Sequence, residues 1–243
     1  MLVIDAGNTS VKFARVARAG ATPKLLRSVP TTKLSVAKAK SAGAKAKSIV
    51  IASVVPSASR ILKQAFPGAQ FLGPRTSMDF VTLVDRKTIG VDRLANVAAA
   101  RARYGGSVLV ASFGTAATFD LIDSRGVHRG GAIAPGWKAF AEILCARTAL
   151  LPRVEAKRAA RFVARNTREA LIAGVNGGYA AMVSQIIAEM KKEARIKNLR
   201  VVFTGGDASA VARLLPWKAV SDPLLTLRGI ALLAHGVARE ASK

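Results

Sequence analysis

The sequence predicts a mixed α/β protein built from two similar halves. Three observations predict it. A short apolar run, Leu2-Val3-Ile4, ends in Asp5 and a small polar turn, Gly7-Asn8-Thr9, before a second strand-like run containing Lys12. The pattern returns at 107–126, SVLVASFGTAATFDLIDSRG. Around both stretches, apolar runs of strand length alternate with segments of helical period, the signature of an α/β chain.

Residues 1–30 read as strand, turn, strand, a loop at 18–23 and a third strand over 24–29. The Ala/Lys-rich stretch 31–48 reads as a short exposed helix broken at Gly43. Ile49 to Val55 is apolar throughout and predicts a buried strand. Pro56 opens a helix that Pro67-Gly68 ends, and a short strand follows at 70–72. A loop-rich stretch leads to Gly90-Val91-Asp92-Arg93, then an Ala-rich helix from Leu94 to Tyr104. Gly105-Gly106 places the boundary, giving domains 1–105 and 106–243.

The second half follows the same logic. Strands are expected over 107–126 and 127–135, helices over 138–149 and, from its basic helical period, 155–165. A long helical region after Thr167 contains Gly174, Gly177 and Gly178, glycines that imply close approach of a neighbour. Leu199 to Phe203 is a strand, Thr204-Gly205-Gly206-Asp207 a turn, and 208–214 and 224–238 are helices. In the direct overlay of the two halves Gly7 matches Gly114, Asp5 falls on Ser112 and Val16 on Asp123.

Composition sets bounds. The 243 residues are half hydrophobic and can bury a large core. No run of 18–20 apolar residues and no leader-like segment is evident, and Cys145 is the only cysteine, so a cytoplasmic protein without disulfides or membrane spans is expected. Thirty-eight Lys and Arg against 14 Asp and Glu give a net charge of +24. Nucleic-acid binding, attraction of anionic small molecules and a solvated basic surface all accommodate this charge. Its even spread and the scarcity of aromatics favour the last and speak against nucleic acid. His128 and His235 lack ligand-like spacing for zinc.

Three strand-to-turn junctions carry small polar groups: Asp5-Ala6-Gly7-Asn8-Thr9, Ser112-Phe113-Gly114-Thr115-Ala116 and Thr204-Gly205-Gly206-Asp207. Each is either an ordinary turn or a cradle for phosphate, and two facing domains with such turns make a nucleotide cleft. Asp92, next to Arg93 at a helix start, is either a helix cap or an ionised base; the helix N-terminus and the guanidinium both favour its charged form.

The chain resembles the type III pantothenate kinases, members of the acetate kinase, sugar kinase, heat-shock ATPase and actin superfamily. The resemblance rests on DAGNTSVK at 5–12, GVDR at 90–93, FGTAATFD at 113–120, GGAIAPG at 130–136, TALLP at 148–152, NTREALIAG at 166–174 and TGGDA at 204–208. It implies two duplicated ribonuclease-H-like domains, mixed sheets flanked by helices, with the nucleotide cleft between them. It implies ATP-dependent phosphorylation of pantothenate to 4′-phosphopantothenate, the first step of coenzyme A synthesis, by a homodimer.

The implied roles follow the motifs. Asp5, Ala6, Gly7, Asn8, Thr9, Ser10, Val11 and Lys12 cradle the ATP phosphates, with Asp5 near Mg²⁺. Gly114 and Thr115 contact phosphates from the second domain, and Gly205 and Gly206 line the nucleoside. Gly90, Val91, Asp92 and Arg93 form the pantothenate site with Thr167, and Asp92 is the general base. Family members usually carry Asp at the position of Ser112, tied to a monovalent cation (K⁺ or NH₄⁺); Ser112 offers a hydroxyl without charge. They also tend to carry Tyr and Pro where Leu83 and Arg86 stand. These departures keep a second reading open, a weak or inactive regulatory paralogue whose basic surface binds nucleic acid or a protein partner.

Overall fold

A computed structural model describes residues 1–18, 20–43 and 46–240, the last four of these as backbone only. The expected loop at 18–23 and the Ala/Lys-rich stretch at 31–48 fall partly on residues 19, 44 and 45, outside the described residues. The chain forms two compact units. The first holds Met1–Gly106, Ser124–Arg129 and the chain from Leu224 onward; the second holds Ser107–Asp123 and Gly130–Pro223.

In the first unit, β1 (Leu2–Ala6), β2 (Ser10–Arg15), β3 (Lys24–Pro30), β4 (Ile49–Ser53) and β5 (Gln70–Leu72) form a sheet of order β3-β2-β1-β4-β5. β2 runs antiparallel to β1 and β3, while β4 is parallel to both β1 and β5. The central strand is apolar on both faces because both are covered. Leu2, Ile4 and Ala6 pack with α1 (Val36–Gly43) and α2 (Pro56–Ala65). Val3 packs on the other face with α3 (Val91–Tyr104) and α8 (Leu225–Glu240). Side chains alternate along a strand, so Asp5, two residues past Val3, is aimed toward the α3 face. α8 belongs to this unit, although a single cut at residue 105 puts it with the second half of the sequence.

α3 and α8 meet at close range. A Cβ on Gly229 would lie 1.7 Å from the Ala95 carbonyl oxygen, so only glycine lets these backbones approach. Buried Asn96 and Thr226 then meet in a 2.8 Å hydrogen bond between their side-chain oxygens.

In the second unit, β6 (Val108–Phe113), β7 (Ala116–Ile122), β8 (His128–Pro135), β9 (Arg200–Thr204) and β10 (Val220–Ser221) form a sheet of order β10-β9-β6-β7-β8. This is the neighbour order of the first sheet with each strand replaced by its counterpart. α4 (Trp137–Arg147), α5 (Thr167–Leu171), α6 (Gly178–Glu193) and α7 (Ala208–Leu214) accompany it, and Phe113, Phe119, Tyr179, Val183 and Val211 are part of its core.

The hairpins fix the repeat's register. Asp5 stands opposite Lys12 and Ala6 opposite Val11, leaving residues 7–10 in the turn. Ser112 stands opposite Thr118 and Phe113 opposite Ala117, leaving only 114–116. The second turn is one residue shorter, so the overlay slips by one beyond it. Val16 corresponds to Ile122 and not to Asp123, and Lys12 corresponds to Thr118.

Other expectations are corrected. Residues 155–165 form no helix; Asn176 holds them instead, its amide donating to the carbonyls of Glu155 and Lys157 at 2.8 Å. Between α5 and α6 the helix widens into a π turn over Ile172–Gly177, which turns Asn176 inward. Of the three glycines here only Gly177 has a close neighbour, Phe162; Gly174 and Gly178 face open space. Cys145 is exposed. Thr167–Glu193 is long and apolar enough by composition to cross a membrane, a test that a core helix also passes, and half of its most apolar stretch is buried.

Gly229→Ala is expected to cost about 3 kcal/mol, at the upper end of overpacking penalties, because backbone and not a flexible side chain opposes the new methyl. Denaturant unfolding of the full chain measures it, and a loss below about 0.5 kcal/mol contradicts the packing described.

Candidate active site

β1 delivers Asp5 to the C-terminal end of a buried central strand, and the turn after it is tied down. The Gly7 N–H donates to the Ser10 carbonyl at 3.1 Å, and the Thr31 hydroxyl donates to the Gly7 carbonyl at 2.6 Å. Thr31 N–H also donates to the Thr9 carbonyl. The tip, Asn8-Thr9, is exposed, while Ala6 and Val11 are buried core residues. The turn thus presents its tip and hides its flanks.

Asp92 reaches the same region from α3. It lies in the helix's first turn, with Gly90 as the N-cap residue. A Cβ on Gly90 would fall 2.4 Å from Asp92 Oδ1, so glycine makes room for this carboxylate to fold back over the helix start. Val54 also packs beside Gly90, and its N–H donates to the Ala6 carbonyl at the end of β1. This chain of contacts links the α3 N-terminus to the Asp5 turn. Val91 is in the core, so its side chain is structural; Arg93 is partly buried.

The electrostatics bind these parts together. Burial pushes the Asp5 carboxyl up to about 6 from an ordinary 3.8; the Lys12 ammonium across the hairpin opposes this, and the Asp92 charge adds to it. The Asp92 charge thus disfavours the charged form of Asp5. Among the described residues no group of three or more His, Cys, Asp or Glu could hold a metal.

The second unit's turn is built differently. The Gly114 N–H donates to the Ala116 carbonyl at 3.0 Å, and the Gly136 N–H to the Thr115 carbonyl at 3.0 Å. A Cβ on Gly136 would lie 2.0 Å from the Gly114 carbonyl oxygen, so the buried glycine that precedes α4 seats the turn. Thr115 is exposed. Gly205 has φ of +93°, and a Cβ there would meet the Phe113 carbonyl at 2.3 Å, so the 204–207 turn lies directly against the end of β6. Ser112 stands in register with Thr204, whose buried hydroxyl has no hydrogen-bond partner.

An ion pair adjoins this turn. Asp207 is 6% exposed, its N–H donates to the Phe113 carbonyl, and its carboxylate meets the Lys138 ammonium at 2.6 Å. Burial and the Asp207 charge both push the Tyr179 phenol up. Asp207 was legible as part of TGGDA; Lys138 sits in no motif. Thr167 is exposed on the first turn of α5, where Asn166 caps the helix. Its neighbour Arg168 lines a cavity of about 340 Å³ with Lys157, Val154, Leu171 and Ile172.

Comparison with known proteins adds a second line of observation. A family model described as type III pantothenate kinase matches residues 1–189. A type III pantothenate kinase of Methylacidiphilum infernorum is 32% identical over 240 residues, covering 97% of this chain and 88% of the relative. One of Akkermansia muciniphila is 34% identical over 237 residues, covering 96% and 97%. Among solved structures, a putative Baf family transcriptional activator from Campylobacter jejuni aligns over the full length of both chains with a TM-score of 0.65 at 22% identity. An inorganic polyphosphate/ATP-glucomannokinase from Arthrobacter sp. strain KM aligns over 99% of this chain and 98% of its own with a TM-score of 0.51 at 14% identity. At those identities the two structures bear on the fold alone.

Asp5 yields a pH prediction. Its raised folded-state value means that the native protein binds a proton more readily than the unfolded chain, so ionising Asp5 costs stability as pH rises from 3.8 through about 6. Asp5→Asn removes that cost. The variant is expected to be more stable than the parent by about 2 kcal/mol at pH 8, the gain vanishing below the ordinary carboxylate range. Denaturant unfolding without divalent metal at both pH values checks this; a variant less stable at pH 8 contradicts it.

Proposed function

The chain belongs to the type III pantothenate kinase family, and from that membership we infer how its own residues carry out the phosphorylation of pantothenate by ATP. The product is 4′-phosphopantothenate, and the reaction opens coenzyme A synthesis. The observation that supports the residue assignment is the contact chain from β1 to the α3 start: the Val54 N–H donates to the Ala6 carbonyl next to Asp5, and Val54 packs beside Gly90, over which Asp92 folds.

Phosphoryl transfer asks a protein for position, charge neutralisation and an acceptor for the hydroxyl proton. The Asn8-Thr9 tip and Lys12 hold the ATP phosphates, since the Gly7 N–H is already committed to Ser10. Thr115 and the glycines 114, 205 and 206 serve the nucleotide from the second unit. Mg²⁺, when bound, supplies neutralising charge on the phosphates, and Asp5 is the residue that holds it. Asp92 takes the proton from the pantothenate hydroxyl, its carboxylate kept in place by Gly90. Arg93 and Thr167 orient pantothenate.

Ser112 and Thr204 offer two hydroxyl oxygens and no carboxylate, a neutral donor set that holds a monovalent cation poorly. We therefore expect turnover without an absolute requirement for K⁺ or NH₄⁺. A homodimer is supported by apolar side chains exposed on one stretch of the second unit, Ile143, Leu150, Phe162 and Val163; sedimentation as a monomer counts against it. No observation in the fold or the family match favours the regulatory alternative.

Purified chain with ATP, Mg²⁺ and pantothenate should form 4′-phosphopantothenate and ADP, with K⁺ or NH₄⁺ changing the rate by less than about tenfold. No product under any of these conditions overturns the function. Asp92→Asn should cut kcat by at least about 100-fold, the low end for general-base catalysis, and leave ATP affinity within about twofold. Turnover that survives Asp92→Asn assigns the base elsewhere.

A further inference from the structure

The two hairpins are copies, yet they carry different charges. In the first unit Asp5 and Lys12 face each other across β1 and β2. The register places Ser112 and Thr118 at the same two positions in the second unit. The second turn, 112–116, therefore has neither a carboxylate nor an ammonium of its own, and a phosphate brought to it would meet no positive side chain from its own strands.

Another pair stands at this turn. Asp207 is buried with only 7% of its side chain exposed, and it is fixed to the end of β6 by its N–H bond to the Phe113 carbonyl. The Lys138 ammonium meets its carboxylate at 2.6 Å, while 61% of the lysine side chain remains exposed. Lys138 also comes from the helix whose preceding residue, Gly136, bonds the Thr115 carbonyl on the far side of the same turn. So the start of α4, which carries Lys138, and the Asp207 that its ammonium meets are each bonded to the segment 113–115. A buried carboxylate needs a cation close by, and an ammonium has three donors, of which Asp207 takes one. That leaves two donors on a side chain that is 61% exposed.

We propose that Lys138 is a nucleotide-positioning residue: held by Asp207, its ammonium supplies to the phosphate turn of the second unit the positive charge that Lys12 supplies to the first, and it contacts phosphate oxygens of the bound nucleoside triphosphate. This rests on the reading of 112–116 as a phosphate-facing turn. Asp207 acts through Lys138 by fixing its ammonium and touches no substrate.

The test is equilibrium binding of ATP and of adenosine, read by calorimetry on the full chain, beside steady-state kinetics. Lys138→Ala is expected to weaken ATP binding about tenfold, the scale of one charge-assisted hydrogen bond at a partly exposed site. It should leave adenosine binding and the KM for pantothenate unchanged. Lys138→Arg, which keeps the charge, should recover most of the ATP affinity and guards against a variant that fails to fold. ATP affinity equal to that of the parent in Lys138→Ala overturns the proposal while leaving the kinase function standing. Equal loss for adenosine and ATP also overturns it, because the lysine is then only structural. A parent chain that binds no ATP overturns the functional reading and this proposal with it.

Discussion

The structure depends on a carboxylate placed where its charge is costly. Asp5 ends a central strand covered on both faces, and burial there pushes its carboxyl up to about 6. Nothing in folding demands Asp at this position, and asparagine would fill the space without the charge. The surrounding elements are arranged around the cost. Lys12 is set across the hairpin, Asp92 is brought in from α3, and glycine at position 90 leaves that second carboxylate room. A buried carboxylate with a second one nearby is disfavoured in its charged form, and a cation brought to it relieves that cost.

The packing serves this placement. α3 must bring its N-terminus to the end of β1, and it is held there by α8 through the Gly229 contact with Ala95 and the Asn96–Thr226 hydrogen bond. The C-terminal helix thus fixes a residue more than a hundred positions earlier in the sequence. In the second unit the same role falls to glycines. Gly136 and Gly205 let two further segments press against the turn after β6, where any side chain would strike backbone. Both units use close backbone approach to seat the segments around these turns.

Much of this was legible in the sequence. The apolar runs Leu2–Ile4 and Ile49–Val55 could only be strands covered on both faces, and the echo at 107–126 announced the repeat. The strand order, identical in the two sheets, follows from that echo. What sequence could not give was the register past the second turn, because a one-residue difference in turn length leaves the apolar pattern nearly intact. The 155–165 stretch has helical spacing, but Asn176 claims its carbonyls and holds it open. α8 packs with the first unit because membership of a compact unit is set by contacts distant in sequence. The Lys138–Asp207 pair carried no signal in the sequence; a lysine among 38 basic residues gains meaning only when Asp207 is seen beside it.

One measurement addresses the central claim without relying on turnover. The side-chain carboxyl carbon of Asp5 can be titrated by ¹³C NMR, assigned by comparison with Asp5→Asn. The account predicts a midpoint near 6 without divalent metal, moving down by more than about one unit when Mg²⁺ and ATP are added, as a neighbouring cation favours the charged form. An ordinary midpoint near 3.8 that ignores Mg²⁺ and ATP contradicts it.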